Sequence, residues 1–155
     1  MAQSVSMERS RIIPAAARDI YPLIADFHRW TQWSPWEKLD ADLERTYAGA
    51  ESGVGARYGW AGKKAGSGTM EIVATDPDRR VDIALAFLKP FPAKNLTVFA
   101  LEPVDGGTKV TWRMTGDQGL VTRVFFKLFN VEKGITRDFD EGLESLARAV
   151  GPDGA

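Results

Sequence analysis

The chain has 155 residues, 44% hydrophobic and 26% charged, with 8 Phe, 5 Trp and 3 Tyr, enough apolar surface for one folded domain and too much for a disordered tail. Its 20 Lys/Arg against 21 Asp/Glu leave a net charge of −1 with no basic block, which removes the electrostatic footprint of nucleic-acid binding. The absence of cysteine excludes disulfide, thiol and Cys-zinc chemistry, and the single histidine, His28, excludes a multi-histidine metal site.

A cysteine-free chain fits a reducing compartment. The N-terminal stretch MAQSVSMERSRIIP carries Glu8, Arg9 and Arg11 without an unbroken apolar run, so no signal peptide is expected. No segment reaches the apolar length of a transmembrane helix. The expectation is a single cytoplasmic domain over residues 1–155.

Residues 4–13 (SVSMERSRII) partly alternate and end rich in β-branched side chains, which predicts a strand stopped by Pro14. Ile20, Leu23, Ile24 and Phe27 then recur at helical spacing, and Pro22 within that pattern predicts a kink or an early end. Trp30, Trp33 and Trp36 around Ser34-Pro35 predict a second short helix and turn.

From residue 41 to 115 the period is two. Leu43, Arg45 and Tyr47 share one face; Tyr58 and Trp60 follow the Gly53-Val54-Gly55 turn. Met70, Ile72 and Ala74 alternate up to Asp76-Pro77-Asp78, and Val81, Ile83, Leu85 and Phe87 alternate up to Pro90 and Pro92. Residues 94–102 are apolar on both faces, so their inward side is the least determined. Asp105-Gly106-Gly107 marks a hairpin before Val110, Trp112 and Met114. Six short segments without intervening helices imply an antiparallel meander.

From about 120 to 150 the spacing is helical again. Val121, Val124, Phe125, Leu128, Ile135, Phe139, Leu143, Leu146 and Val150 form one stripe. Gly134 and Gly142 would loosen it, each by about 1 kcal/mol relative to Ala. The predicted architecture is α+β: a curved antiparallel sheet wrapped around a long C-terminal helix, with two short helices after the first strand.

This order and several strings along it resemble the START-related helix-grip (SRPBCC) superfamily, and within it the polyketide cyclase/dehydrase and lipid-transport family. The strings are Ile13-Pro14-Ala15, then Asp26 with Trp30, Trp33 and Ser34-Pro35-Trp36, and Gly53-Val54-Gly55. Gly68-Thr69-Met70-Glu71-Ile72, Gly107-Thr108-Lys109-Val110-Thr111-Trp112 and the run from Asp138 to Leu146 complete them, so the resemblance spans about residues 5 to 150. It implies a deep apolar cavity between sheet and helix, able to hold a lipid, sterol or polyketide-like molecule. It carries no shared catalytic motif onto these residues.

Alternation turns Trp60, Met70, Ile72, Leu85, Phe87, Phe99, Trp112 and Met114 inward, opposed by Phe125 and Phe129 of the long helix. These residues either line a ligand cavity or fill an ordinary core. Phe91, between two prolines, is a lid at the cavity mouth or a loop anchor; Phe126 belongs to the entrance or to a dimer contact.

The acid/base candidates read more blandly. His28 is a general base only with a positioned partner, for which Asp26 stands too close in sequence; otherwise it is a surface or capping histidine. Glu71, Arg113 and Arg57 fall on the outer sheet face. Asp138, Asp140, Glu141 and Glu144 read as a solvated helix face rather than a metal site. Gly53-x-Gly55 and Gly66-x-Gly68 open no helix and read as hairpin turns, so neither a cofactor nor a metal is expected. The leading expectation is a binder of a hydrophobic or amphipathic small molecule. The alternatives are a cyclase/dehydratase-type enzyme using the same cavity, or an interaction module docking a partner protein.

Overall fold

The structure is a computed structural model and describes residues 3–38, 42–63, 66–89, 93–118 and 131–150. In chain order its elements are β1 (Gln3–Ile13), α1 (Ala17–Ala25), two 3-10 turns (Phe27–Gln32 and Pro35–Lys38), β2 (Glu44–Gly49), β3 (Ala56–Gly62), β4 (Gly66–Asp76), β5 (Arg80–Lys89), β6 (Ala93–Val104), β7 (Gly107–Gln118) and α2 (Val131–Val150).

The turns build the sheet. Val104 pairs with Gly107, so Asp105 and Gly106 alone join β6 to β7, with Gly106 at φ 89°. Between β4 and β5, Asp78 takes φ 64°, which a short polar side chain tolerates, and Arg79 N–H donates to the Asp76 carbonyl at 2.9 Å. The strands run antiparallel in the order β1-β7-β6-β5-β4-β3-β2, a meander completed by the first strand, with Met7 opposite Met114.

Two irregularities in the β4–β5 pairing shape the sheet. Ile72 faces Ile83 but Ala74 faces Asp82, so Val73 is an extra residue and the alternation changes side there. Ala74 is consequently exposed instead of sharing the face of Met70 and Ile72. At the other end, Gly68 pairs with Phe87 and Ser67 with Lys89, which leaves Leu88 unpaired and exposed.

The core lies between the inner sheet face and the helices. Ile20, Leu23 and Ile24 of α1 are buried as their spacing demands, and the helix runs through Pro22 to end at Ala25. Its last carbonyls are not left unsatisfied. The Trp30 indole N–H donates to Ile24 O at 2.9 Å, and that of Trp33 to Leu23 O at 2.8 Å. The expected second short helix takes 3-10 form, in two pieces.

Phe139, Leu143, Leu146 and Val150 present the buried stripe of α2. Val121, Val124, Phe125 and Leu128 lie outside the described residues, as does the side chain of Ile135. Gly142 does more than loosen the helix. A Cβ there would stand 2.6 Å from Trp112 Cζ3 and 3.2 Å from Pro35 Cδ, so the bare backbone lets α2 approach the sheet.

Candidate functional site

Trp60, Met70, Ile72, Leu85, Phe87, Phe99, Trp112 and Met114 all lie on the inner face, but they divide into two zones. At the α2 end the space is taken by rings. Trp30 and Trp33 are 4.6 Å apart, and both meet Phe99 edge-on at 5.8 Å. Phe99 lies 4.8 Å from Trp112, and Trp112 stacks on Phe139 at 4.3 Å. Phe99 and Trp112 thus spend their faces on other aromatic rings and close this end of the interior. Ile72 and Ile83, paired across β4 and β5, are fully buried beside them.

At the β3–β5 end the rings are half-buried. Trp60 meets Phe87 edge-on at 5.6 Å and stacks on Tyr58 at 6.3 Å. Its register partner is Gly68, and a Cβ at Gly68 would lie 2.5 Å from Trp60 Cη2, so the glycine makes room for the indole across the strand. Met70, opposite Leu85, keeps 9% exposure, and Met114 lies on β7, with β5 and β6 between them. Flexible thioethers and flat rings form an apolar surface that accommodates varied shapes.

A polar relay borders this open end. Glu37, in the second 3-10 turn, has a side chain only 4% exposed. Its Oε1 accepts from the Tyr58 hydroxyl at 2.8 Å and its Oε2 accepts from Arg45 Nε, while Arg45 Nη2 donates to the Glu37 carbonyl at 2.9 Å. Burial, reinforced by the bond to Glu37, pushes the Tyr58 phenol far above its ordinary pKa. The bond to Glu37 raises that of Arg45, and burial raises that of Tyr47.

His28 stacks on Tyr47 at 4.2 Å, with 18° between the rings, and its side chain is 52% exposed. Its Nδ1 lies 2.9 Å from Asp26 Oδ1, which also accepts from the His28 backbone N–H at 3.0 Å. Asp26, set aside on sequence distance, is therefore the histidine's partner. The reason is local: Asp26 caps the 3-10 turn, and the turn brings the residue two positions on back to its carboxylate. His28 is thus a surface histidine on a capped turn.

Glu71, Arg57 and Arg113 are exposed on the outer face, where Arg113 Nε donates to Glu8 at 2.6 Å. Asp140 and Glu144 are exposed and pair with Arg9 and Arg148. Phe91, Phe125, Phe126 and Phe129 lie outside the described residues. Among the described residues, no cluster of three His, Asp or Glu side chains has metal-binding geometry. No helix among them is long and apolar enough to cross a membrane.

Sequence reasoning missed Glu37 and Thr97. Glu37 is one acid in an aromatic stretch and carries no spacing signal. Thr97 shares the parity of Phe99, which places it inward once the face of β6 is known.

A curved antiparallel sheet holding a C-terminal helix defines the helix-grip fold. A family model described as polyketide cyclase / dehydrase and lipid transport matches residues 4–151, and the chain belongs to that family. No curated protein matches the sequence. Among solved structures, protein CV1439 from Chromobacterium violaceum is 16% identical with a TM-score of 0.71, covering 96% of this chain and 98% of that one. DynU16, from the dynemicin biosynthetic locus, is 14% identical with a TM-score of 0.66; 96% of this chain matches 48% of its length. Ara h 8.0201 is 18% identical with a TM-score of 0.59, covering 92% of this chain and 99% of that one. At these identities the likeness is one of fold.

Proposed function

We propose that this protein, acting as one cytoplasmic domain, binds a hydrophobic or amphipathic small molecule, lipid- or polyketide-like, between the sheet and the C-terminal helix. The observation that carries the reading is the half-buried Trp60–Phe87 pair at one end of an otherwise buried apolar inner face. Trp60, Met70, Leu85, Phe87 and Met114 contact the ligand, with Ile72, Phe99 and Trp112 as the closed end behind them. Buried apolar area, at about 25 cal/mol per Å², supplies most of the affinity. The family's description, which joins polyketide chemistry to lipid transport, supports this ligand class.

The cyclase/dehydratase alternative needs an acid or base free to face the same interior. Both carboxylate oxygens of Glu37 are engaged, by Tyr58 and Arg45, and His28 is held at the surface by Asp26. These placements favour binding over turnover. Native mass spectrometry of protein purified from its host tests the proposal, with a co-purified lipophilic mass as the expected result. A protein that carries nothing, and binds neither dodecanoic acid nor an anilinonaphthalene sulfonate dye, would overturn it.

A further inference from the structure

Strand β6 turns Asn95, Thr97, Phe99 and Leu101 toward the interior. Thr97 is 3% exposed, and its register partners, Ile83 on β5 and Met114 on β7, are apolar. Its hydroxyl oxygen is fully buried and has no hydrogen-bond partner among the described residues. Such a hydroxyl costs about 1–3 kcal/mol, and valine would fill the same shape without that cost.

Position gives the hydroxyl a use. Along the inner face of β6, Thr97 lies between Phe99 of the packed end and Asn95, whose partner Leu85 leads on to Phe87 at the half-buried end. Two residues along the same face is Asn95, opposite Leu85 and Gly116. The Asn95 amide oxygen occupies the place a Cβ on Gly116 would take, so the glycine makes room for a second polar group. No charged side chain is among the register partners of these two residues. An ionised carboxylate there would be buried without a counter-charge, whereas a neutral oxygen would complete a hydrogen bond.

Resting on the binding function proposed above, we infer that Thr97, flanked by Asn95, forms a polar floor that receives a neutral hydroxyl or carbonyl on the inner end of the ligand. The ligand's apolar body then extends toward Trp60 and Phe87. The class selected is an oxygenated hydrophobe, in preference to a bare hydrocarbon or a fatty carboxylate.

The test compares 2-naphthol, naphthalene and 2-naphthoate by calorimetric titration of wild type, Thr97→Val and Thr97→Ser. Wild type is expected to bind 2-naphthol about tenfold more tightly than naphthalene, and 2-naphthoate most weakly. Thr97→Val is expected to erase the naphthol preference, to leave naphthalene affinity within about twofold and to raise the melting temperature; Thr97→Ser keeps the preference. An unchanged naphthol-to-naphthalene ratio in Thr97→Val would sink the polar-floor assignment while leaving the binding function standing. Failure of all three probes to bind wild type would overturn the polar floor, and the binding function falls with it only if dodecanoic acid and the anilinonaphthalene sulfonate dye also fail to bind.

Discussion

Trp112 lies parallel to Phe139, with 11° between the rings, and the same indole borders the space where a side chain on Gly142 would begin. Sheet and helix are thus locked by one ring against bare backbone. In an exposed helix, Gly→Ala would stabilise by about 1 kcal/mol. Here the added methyl meets a buried indole, and overpacking costs about 1–3 kcal/mol. Gly142→Ala is therefore expected to lower the urea midpoint, and a raised midpoint would show that Trp112 can move aside.

The two tryptophans of the inner face should separate stability from binding. Trp112→Ala empties a fully packed site and should cost about 3–5 kcal/mol in denaturant unfolding. Trp60→Ala removes a half-buried ring and should cost about half as much, while weakening an anilinonaphthalene sulfonate dye roughly five- to tenfold. Unaltered dye affinity in Trp60→Ala would move the binding surface elsewhere.

Glu37 joins the second 3-10 turn to β2 and β3 through Arg45 and Tyr58. Glu37→Gln keeps an acceptor for the phenol but removes the charge facing Arg45, an expected loss of about 1–3 kcal/mol. In a double-mutant cycle with Tyr58→Phe, the coupling should reach about 0.5 kcal/mol or more. Strict additivity would mean that the 2.8 Å contact contributes nothing to stability.

Alkaline pH should report on the same phenol. Burial first and Glu37 second hold Tyr58 above its ordinary 10.0, so the folded state favours the protonated form. That contribution is complete below about pH 10 and is lost as pH climbs above it. Wild-type stability should therefore fall progressively as pH climbs above about 10, and Tyr58→Phe should fall less steeply. Equal slopes for the two proteins would contradict the assignment.

Much of the fold is legible in the sequence. The period-two segments between Gly53-Val54-Gly55, Asp76-Pro77-Asp78 and Asp105-Gly106 became strands, and the Phe139–Val150 stripe became a buried helix face. The irregularities at Val73 and Leu88 were not legible, because one extra residue leaves no compositional mark and only the partner strand reveals it. Nor was Thr97 singled out. In a run apolar on both faces, the inward parity is decided by tertiary pairing with Trp112 and Val81 rather than by local pattern. Glu37 was hidden for a related reason, since its partners Arg45 and Tyr58 belong to strands that converge only in the fold.

The placement of β1 beside β7 also has a kinetic consequence. Met7 finds its neighbour only at Met114, and Ile13 only at Thr108, so these pairings enclose every other strand of the sheet. On a ribosome the meander from β2 to β6 has left the exit tunnel while the first strand still lacks its neighbour. A topology with such distant pairings folds slowly, and until β7 emerges the backbone of β1 is open to pairing with other nascent chains. The charges on this strand, Glu8, Arg9 and Arg11, stand where they discourage that association.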